Sequence, residues 1–166
     1  MRSKRTAFTL VEVLIVVAIM GLIGALVVPQ MLAAGTLTIQ AAARMVIADI
    51  LYAQNDAIAR QSPRRVVFDP ANNRYTLTDS AGTALTVPWK GGAAQNYVVD
   101  LTADSRFQGV TLAQVNFGGT NSSVLEFDDM GAPLAGGTID LVFDNTRYRI
   151  TVAAFTGRVT VAPVNP

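Results

Sequence analysis

Residues 8–28 read FTLVEVLIVVAIMGLIGALVV, and Glu12 is the one charged side chain among these 21 residues. As a helix, the run would be about 30 Å long, which matches the hydrocarbon thickness of a bilayer. Three basic residues, Arg2, Lys4 and Arg5, precede the run, and no basic residue follows closely. By the positive-inside rule, the sequence predicts one transmembrane helix with residues 1–7 in the cytoplasm and the remainder outside.

The composition agrees with a membrane-attached chain and offers little catalytic chemistry. Of 166 residues, 51% are hydrophobic, and cysteine and histidine are both absent. That absence removes the commonest general base and the thiolate metal ligands, and no phosphate-binding or hydrolase motif occurs. We therefore expect no enzyme, no catalytic residue, no metal site and no cofactor. From residue 6 onward, ten basic and twelve acidic side chains give a net charge of −2, which disfavours nucleic acid as a partner.

Glu12 is the residue of the apolar run that requires an explanation. A carboxylate in a lipid-spanning helix costs about 2.5–3.5 kcal/mol on insertion scales, so a partner or a function is expected for it. The alternative is that Glu12 lies near the cytoplasmic headgroups and is only tolerated. A different alternative for the whole segment is an ordinary secretory signal cleaved at the small residues near 32–34. The position of Glu12 near the start of the run argues against that signal.

The eight residues Arg5-Thr6-Ala7-Phe8-Thr9-Leu10-Val11-Glu12 resemble the class III leader of type IV pilins and type II secretion pseudopilins. In that family a prepilin peptidase cuts before the phenylalanine, on the cytoplasmic side, and methylates the new amine. The resemblance implies cleavage between Ala7 and Phe8, N-methylation of Phe8 and retention of the helix. It also implies that Glu12 pairs with the N-terminal amine of a neighbouring subunit. The family usually has glycine where this sequence has Ala7.

Three further residues of the N-terminal helix fit the same resemblance. Pro29 stands where similar pilins carry a proline, and Gly21 and Gly24 lie in the segment that loosens during assembly. Proline inside a helix costs about 3 kcal/mol or more because it lacks an amide donor, and glycine lowers helix propensity. Local extension is therefore physically reasonable. The alternative is a small-residue packing surface on a plain transmembrane helix.

The rest of the chain predicts a second helical half followed by strands. In residues 30–61, apolar side chains recur at three- and four-residue steps, and Ser62-Pro63 ends the pattern. The stripe consists of Ile39, Ala43, Val46, Ile50, Ala53 and Ala57, and Asp49, Asp56 and Arg60 are predicted to lie off it. Beyond residue 63 the period is two, and the predicted strands are 65–69, 75–78, 84–87, 97–101, 124–127, 139–143, 148–152 and 158–161. We expect an α+β, pilin-like fold, in which a long N-terminal helix packs on an antiparallel, mostly meandering sheet.

Two stretches narrow the resemblance to GspH/FimT-type minor pseudopilins. Residues 51–60, LYAQNDAIAR, resemble the helix end of that group, and the ITV and GRV segments near the C-terminus resemble its closing hairpin. The implied function is a minor pseudopilin of type II secretion in the bacterial inner membrane, with other pilin-type subunits, a prepilin peptidase and an assembly platform as partners. The expected parts are a leader at 1–7, a transmembrane and filament-core helix at 8–28, an amphipathic continuation at 29–62 and a periplasmic β domain at 63–166.

A minor type IV pilin for pilus assembly or DNA uptake is the competing hypothesis. Arg147, Arg149 and Arg158 lie in the last two predicted strands and could form a basic edge, as in DNA-binding competence pilins. The alternative explanation for these arginines is a charge-paired strand face. The acidic residues between positions 128 and 144 could bind calcium, as some pseudopilins do, but their spacing fits no EF-hand, and solvated strand ends explain them better.

Overall fold

The computed structural model describes residues 9–87, 95–119 and 122–164, with the backbone alone described at 26–34. The chain divides into two units, Met1–Gly35 and Thr36–Pro166. One helix, α1 (Leu10–Arg60), extends through both. It ends where the sequence predicts, because Gln61 has a left-handed φ of 47° and a proline follows two residues later. This is a common way to terminate a helix.

Within the described residues, ten antiparallel strands follow α1. They are β1 (Arg64–Asp69), β2 (Arg74–Asp79), β3 (Thr86–Val87), β4 (Gln95–Asn96), β5 (Val98–Asp100), β6 (Thr111–Phe117), β7 (Val124–Phe127), β8 (Gly137–Phe143), β9 (Thr146–Val152) and β10 (Val159–Val164). The first sheet has the order β5-β2-β1-β7 and the second has the order β10-β9-β8-β6. The short strands β3 and β4 pair with each other.

The second half of α1 and the two sheets share one hydrophobic core. All six residues of the predicted apolar stripe are at most 1% exposed, and they belong to the same buried cluster as Phe68, Leu77, Phe127 and Ile150 of the sheets. Burial of a large apolar side chain contributes about 1.5–3 kcal/mol, so this contact holds the helix on the β domain. The predicted α+β fold, a helix packed on antiparallel strands, is confirmed.

The prediction of one mostly meandering sheet is wrong, because the described strands form two four-stranded sheets and the pair β3-β4, and β7 pairs with β1, which is distant in sequence. Strand β6 was not predicted at all. A register shift after Leu112 interrupts the period-two pattern, so that Val115 and Phe117 are buried out of phase with it. The predicted strand 97–101 is shorter in the structure, because β5 covers Val98–Asp100. Tyr97 lies between β4 and β5, and its amide donates to the carbonyl oxygen of Leu85 at 2.6 Å.

Candidate assembly site

The first part of α1 is an exposed apolar helix. Among the described residues, Gly35–Arg60 is long and apolar enough to span a membrane, and Leu10–Ala25 is a shorter apolar helix. Eight of the 26 residues of Gly35–Arg60 are buried, since its apolar side faces the core, whereas every side chain of Leu10–Ala25 is exposed. Gly21 and Gly24 have open space around them, and Pro29 lies within the helical backbone. The helix is therefore unbroken through the segment that is predicted to loosen.

Glu12 forms a capping box at the start of α1. Its amide donates to Thr9 Oγ1 at 3.2 Å, and the Thr9 amide donates to Glu12 Oε2 at 3.5 Å. These bonds satisfy two backbone donors at the helix start, where a carboxylate also interacts favourably with the helix dipole. This role was not predicted from the sequence, although a Thr-x-x-Glu spacing before an apolar run indicates a capping box. Ala7 and Phe8, the predicted cleavage residues, lie outside the described residues.

A buried carboxylate ties α1 to the first sheet. Asp49 is 7% exposed and accepts hydrogen bonds from the hydroxyl groups of Tyr75 (2.6 Å) and Tyr97 (2.7 Å). The prediction that Asp49 lies off the buried stripe is wrong, and burial is tolerated because the two hydroxyl groups replace water. The spacing in the sequence already indicates that Asp49 is on the buried side of the helix. It lies three residues after Val46 and four before Ala53, which is the spacing of the apolar stripe itself.

The same contacts keep both tyrosines protonated. Burial, followed by the negative charge of Asp49, raises the pKa of Tyr75 well above its usual value of 10.0. Burial, followed by the hydrogen bond to Asp49, likewise raises the pKa of Tyr97. The ring of Tyr97 also stacks on Tyr52 of α1, with ring centroids 5.5 Å apart. The cluster therefore positions the helix on the sheet through both polar and aromatic contacts.

The three arginines of the predicted nucleic-acid patch differ in their surroundings. Arg149 contacts Asp140 with two bonds, Nε to Oδ1 at 2.7 Å and Nη2 to Oδ2 at 2.8 Å, while Arg147 Nη1 lies 3.5 Å from Oδ2. Asp140 is 1% exposed, and its hydrogen bonds raise the pKa of Arg149. Arg158 is exposed in the segment before β10. This geometry favours a charge-paired strand face over a phosphate-binding edge. Across residues 9–87, 95–119 and 122–164, no three acidic side chains are placed to share a metal ion.

Two turns of the β domain converge on Gln54 of α1. Gln54 Nε2 donates to the carbonyl oxygen of Gly131 at 2.8 Å, and Gly157 lies directly against the same amide group. Both glycines have positive φ, 79° and 66°. A Cβ atom at Gly131 would lie 2.6 Å from Cγ1 of Ile58, so the close approach of this turn requires glycine. The turns at 128–131 and 153–157 are therefore docked on one short stretch of the helix.

Comparison with solved structures places this fold among pilins and pseudopilins. The minor pseudopilin EpsH from the type II secretion system of Vibrio cholerae matches with a TM-score of 0.52 and 16% identity, over 75% of this chain and 95% of that chain. The type IV minor pilin FimU of Pseudomonas aeruginosa matches with a TM-score of 0.52 and 15% identity, over 75% of this chain and 87% of that chain. At these identities the similarity shows the fold, which a pseudopilin and a pilin share.

Sequence comparisons distinguish further between a pseudopilin and a pilin. The profile of the prokaryotic N-terminal methylation motif matches residues 2–28, and that of the type II transport protein GspH matches residues 42–157. The type II secretion system protein H of Xanthomonas campestris pv. campestris is 26% identical over 170 aligned positions, which cover 98% of this chain and 86% of that protein. Because the second profile covers well over half of the chain and includes most of the β domain, the chain belongs to the GspH family of type II transport proteins.

Proposed function

We propose that this chain is a minor pseudopilin of a type II secretion system, which assembles through its apolar N-terminal helix into a periplasmic filament that drives protein export. The observation that carries the proposal is the GspH profile at residues 42–157, joined to an N-terminal methylation motif at residues 2–28. The exposed apolar helix Leu10–Ala25 supports it, because such a surface needs lipid or another helix as a partner. The chain is a structural subunit in this proposal, and the energy for export comes from other components.

Each part of the chain has a role in this proposal. A prepilin peptidase removes the leader at 1–7 by cutting between Ala7 and Phe8, and it methylates the amine of Phe8. Residues 8–28 cross the inner membrane once and later form the filament core, with the N-terminus on the cytoplasmic side. The amphipathic continuation at 29–62 carries the periplasmic β domain at 63–166, and an inner-membrane assembly platform receives the processed subunit.

Glu12 neutralises the N-terminal amine of the adjacent subunit in this proposal and so sets the register of assembly. Its position supports the role, since a carboxylate in an apolar segment is stabilised by a cationic partner. Gly21, Gly24 and Pro29 allow the helix to extend as subunits pack. The extension starts from an unbroken helix, which glycine and proline destabilise.

Charge removal at Glu12 tests the proposal in cells that lack the chromosomal copy. Glu12→Gln keeps a side chain that supports a capping box, whereas Glu12→Ala loses both the cap and the charge. We expect the wild-type chain to restore secretion and both variants to fail, while Asp144→Asn, a matched charge removal in an exposed turn, restores it. Secretion that is unaffected by the deletion would refute the proposed function. Restoration by Glu12→Gln alone would show that Glu12 acts only as a helix cap.

A minor type IV pilin is the second candidate, and the match to FimU favours it at the level of the fold. The GspH profile and the charge pairing of Arg149 make DNA uptake the weaker proposal. Binding of duplex DNA by the full-length chain, weakening steeply with salt and lost in Arg147→Ala and Arg158→Ala, would support it. We expect no such binding.

A further inference from the structure

Four large apolar side chains are exposed around Gln54. Leu51 and Ile58 lie three residues before and four residues after it, on the same face of α1, and are 41% and 49% exposed. Met130 and Phe155 lie in the two turns docked on Gln54 and are 81% and 87% exposed. Together they expose on the order of 500 Å², comparable with the largest apolar patch of a typical monomer. These four residues are called the Gln54 surface below.

Phe155 is exposed by a backbone conformation that disfavours phenylalanine. Its φ is 67°, a left-handed value at which a bulky L-residue is an outlier. The turn is closed by backbone bonds from Thr156 to Ala154 (2.8 Å) and from Gly157 to Ala153 (3.1 Å). Glycine at position 155 would relieve the strain. Because the ring buries little surface within its own chain, it is available for contact with another molecule.

We propose that the Gln54 surface docks the adjacent pilin-type subunit of the same filament, which presents an uncharged apolar pocket to Phe155. This inference rests on the proposed function. Leu51 and Ile58 lie on α1, the helix through which assembly is proposed. The area of the Gln54 surface, on the order of 500 Å², is a large part of the roughly 800 Å² that each partner buries in a standard interface.

The composition of the surface and the geometry of a filament select this partner over others. All four side chains are uncharged and apolar, so the surface fits an apolar partner. A second copy joined through the same surface would form a closed, two-fold dimer, whereas an open filament needs a surface that meets a different one on the next subunit. The occupant is therefore the next pilin-type subunit.

Photo-crosslinking of the full-length chain in native membranes tests this contact. The photoreactive residue p-benzoylphenylalanine replaces Phe155 in one variant and Asp144 in a control variant, since both positions are exposed turn residues with positive φ. We expect position 155 to crosslink to a pilin-type subunit of different mass and position 144 to give no such product. Products formed only with a second copy, only with exported protein, or equally at both positions would overturn the proposal.

A second variant separates docking from folding. Phe155→Gly is expected to leave the melting temperature of the purified chain unchanged or raised, because it relieves the left-handed strain. Its recovery with the filament should fall about ten- to hundredfold, the value of one buried aromatic contact, and Phe155→Tyr should restore it. Equal recovery of wild type and Phe155→Gly would refute the docking role alone. Absence of the wild-type chain from the filament would instead refute the proposed function.

Discussion

Replacement of Tyr75 by phenylalanine would keep the ring in the core and remove one of the two hydroxyl groups that bond Asp49. A hydrogen bond to a charged group contributes about 1.5–3 kcal/mol. Because Asp49 is 7% exposed, water cannot easily replace the missing donor, and we expect a loss of about 2–3 kcal/mol in the free energy of unfolding. For a domain of this size, that loss lowers the melting temperature by about 6–15 °C.

Thermal unfolding of the purified full-length chain in detergent, followed by circular dichroism, measures the effect. Tyr148→Phe is the matched control, because its hydroxyl accepts a bond from Gln40 Nε2 at 3.0 Å in a half-buried, neutral pair. Loss of such a bond costs about 0.5–1.5 kcal/mol. If Tyr75→Phe destabilised the chain no more than Tyr148→Phe, the conclusion that the Asp49 cluster secures α1 on the first sheet would be refuted.

Three further predictions concern stability and use chemical denaturation of the same preparation. The two tyrosines that bond Asp49 keep their protons in the folded chain, whereas the unfolded chain loses them from about pH 10. Above that pH the folded state binds more protons than the unfolded state, so the free energy of unfolding should fall by about 2 kcal/mol between about pH 10 and 11. A flat profile would contradict the raised pKa values. Gly137→Ala would place a Cβ atom against the backbone oxygen of Asn116 and should lower the free energy of unfolding by about 2 kcal/mol or more. An unchanged denaturation midpoint would show that the strands can move apart. Arg149→Ala would remove the bidentate partner of the buried Asp140. Because Arg149 is 41% exposed and partly screened by solvent, we expect the free energy of unfolding to fall by about 1–3 kcal/mol. No loss would mean that the pair does not stabilise the fold.

The parts of the fold that could be predicted from the sequence are those whose contacts repeat with a local period. The apolar stripe of α1 is visible because every contact repeats within one turn of the helix, and strand 124–127 matches its prediction because its side chains alternate cleanly. The two-sheet division was not predictable in this way, since the pairing of β1 with β7 joins residues about sixty positions apart. The bulge after Leu112 concealed β6, because one extra residue shifts the alternation out of phase.

The candidate site was predictable only where its chemistry is local. Glu12 stands out as a charge in an apolar run, and its cap with Thr9 needs only a three-residue spacing. The partners of Asp49 are 26 and 48 residues away, so the sequence shows an acidic residue within the stripe but not the tyrosines that satisfy it. The approach of Gly131 and Gly157 to Gln54 depends on the folding of two separate turns, which no local pattern encodes.

The N-terminal residue and intact mass of the protein purified from native membranes test the central claim most directly. The account predicts a chain that begins at Phe8, with one methyl group on its amine, and that retains the whole apolar helix. Such a product would establish pilin-type processing despite Ala7 before the cleaved bond. A chain that begins near residue 34, or an uncut chain beginning at Met1, would contradict assembly through the N-terminal helix.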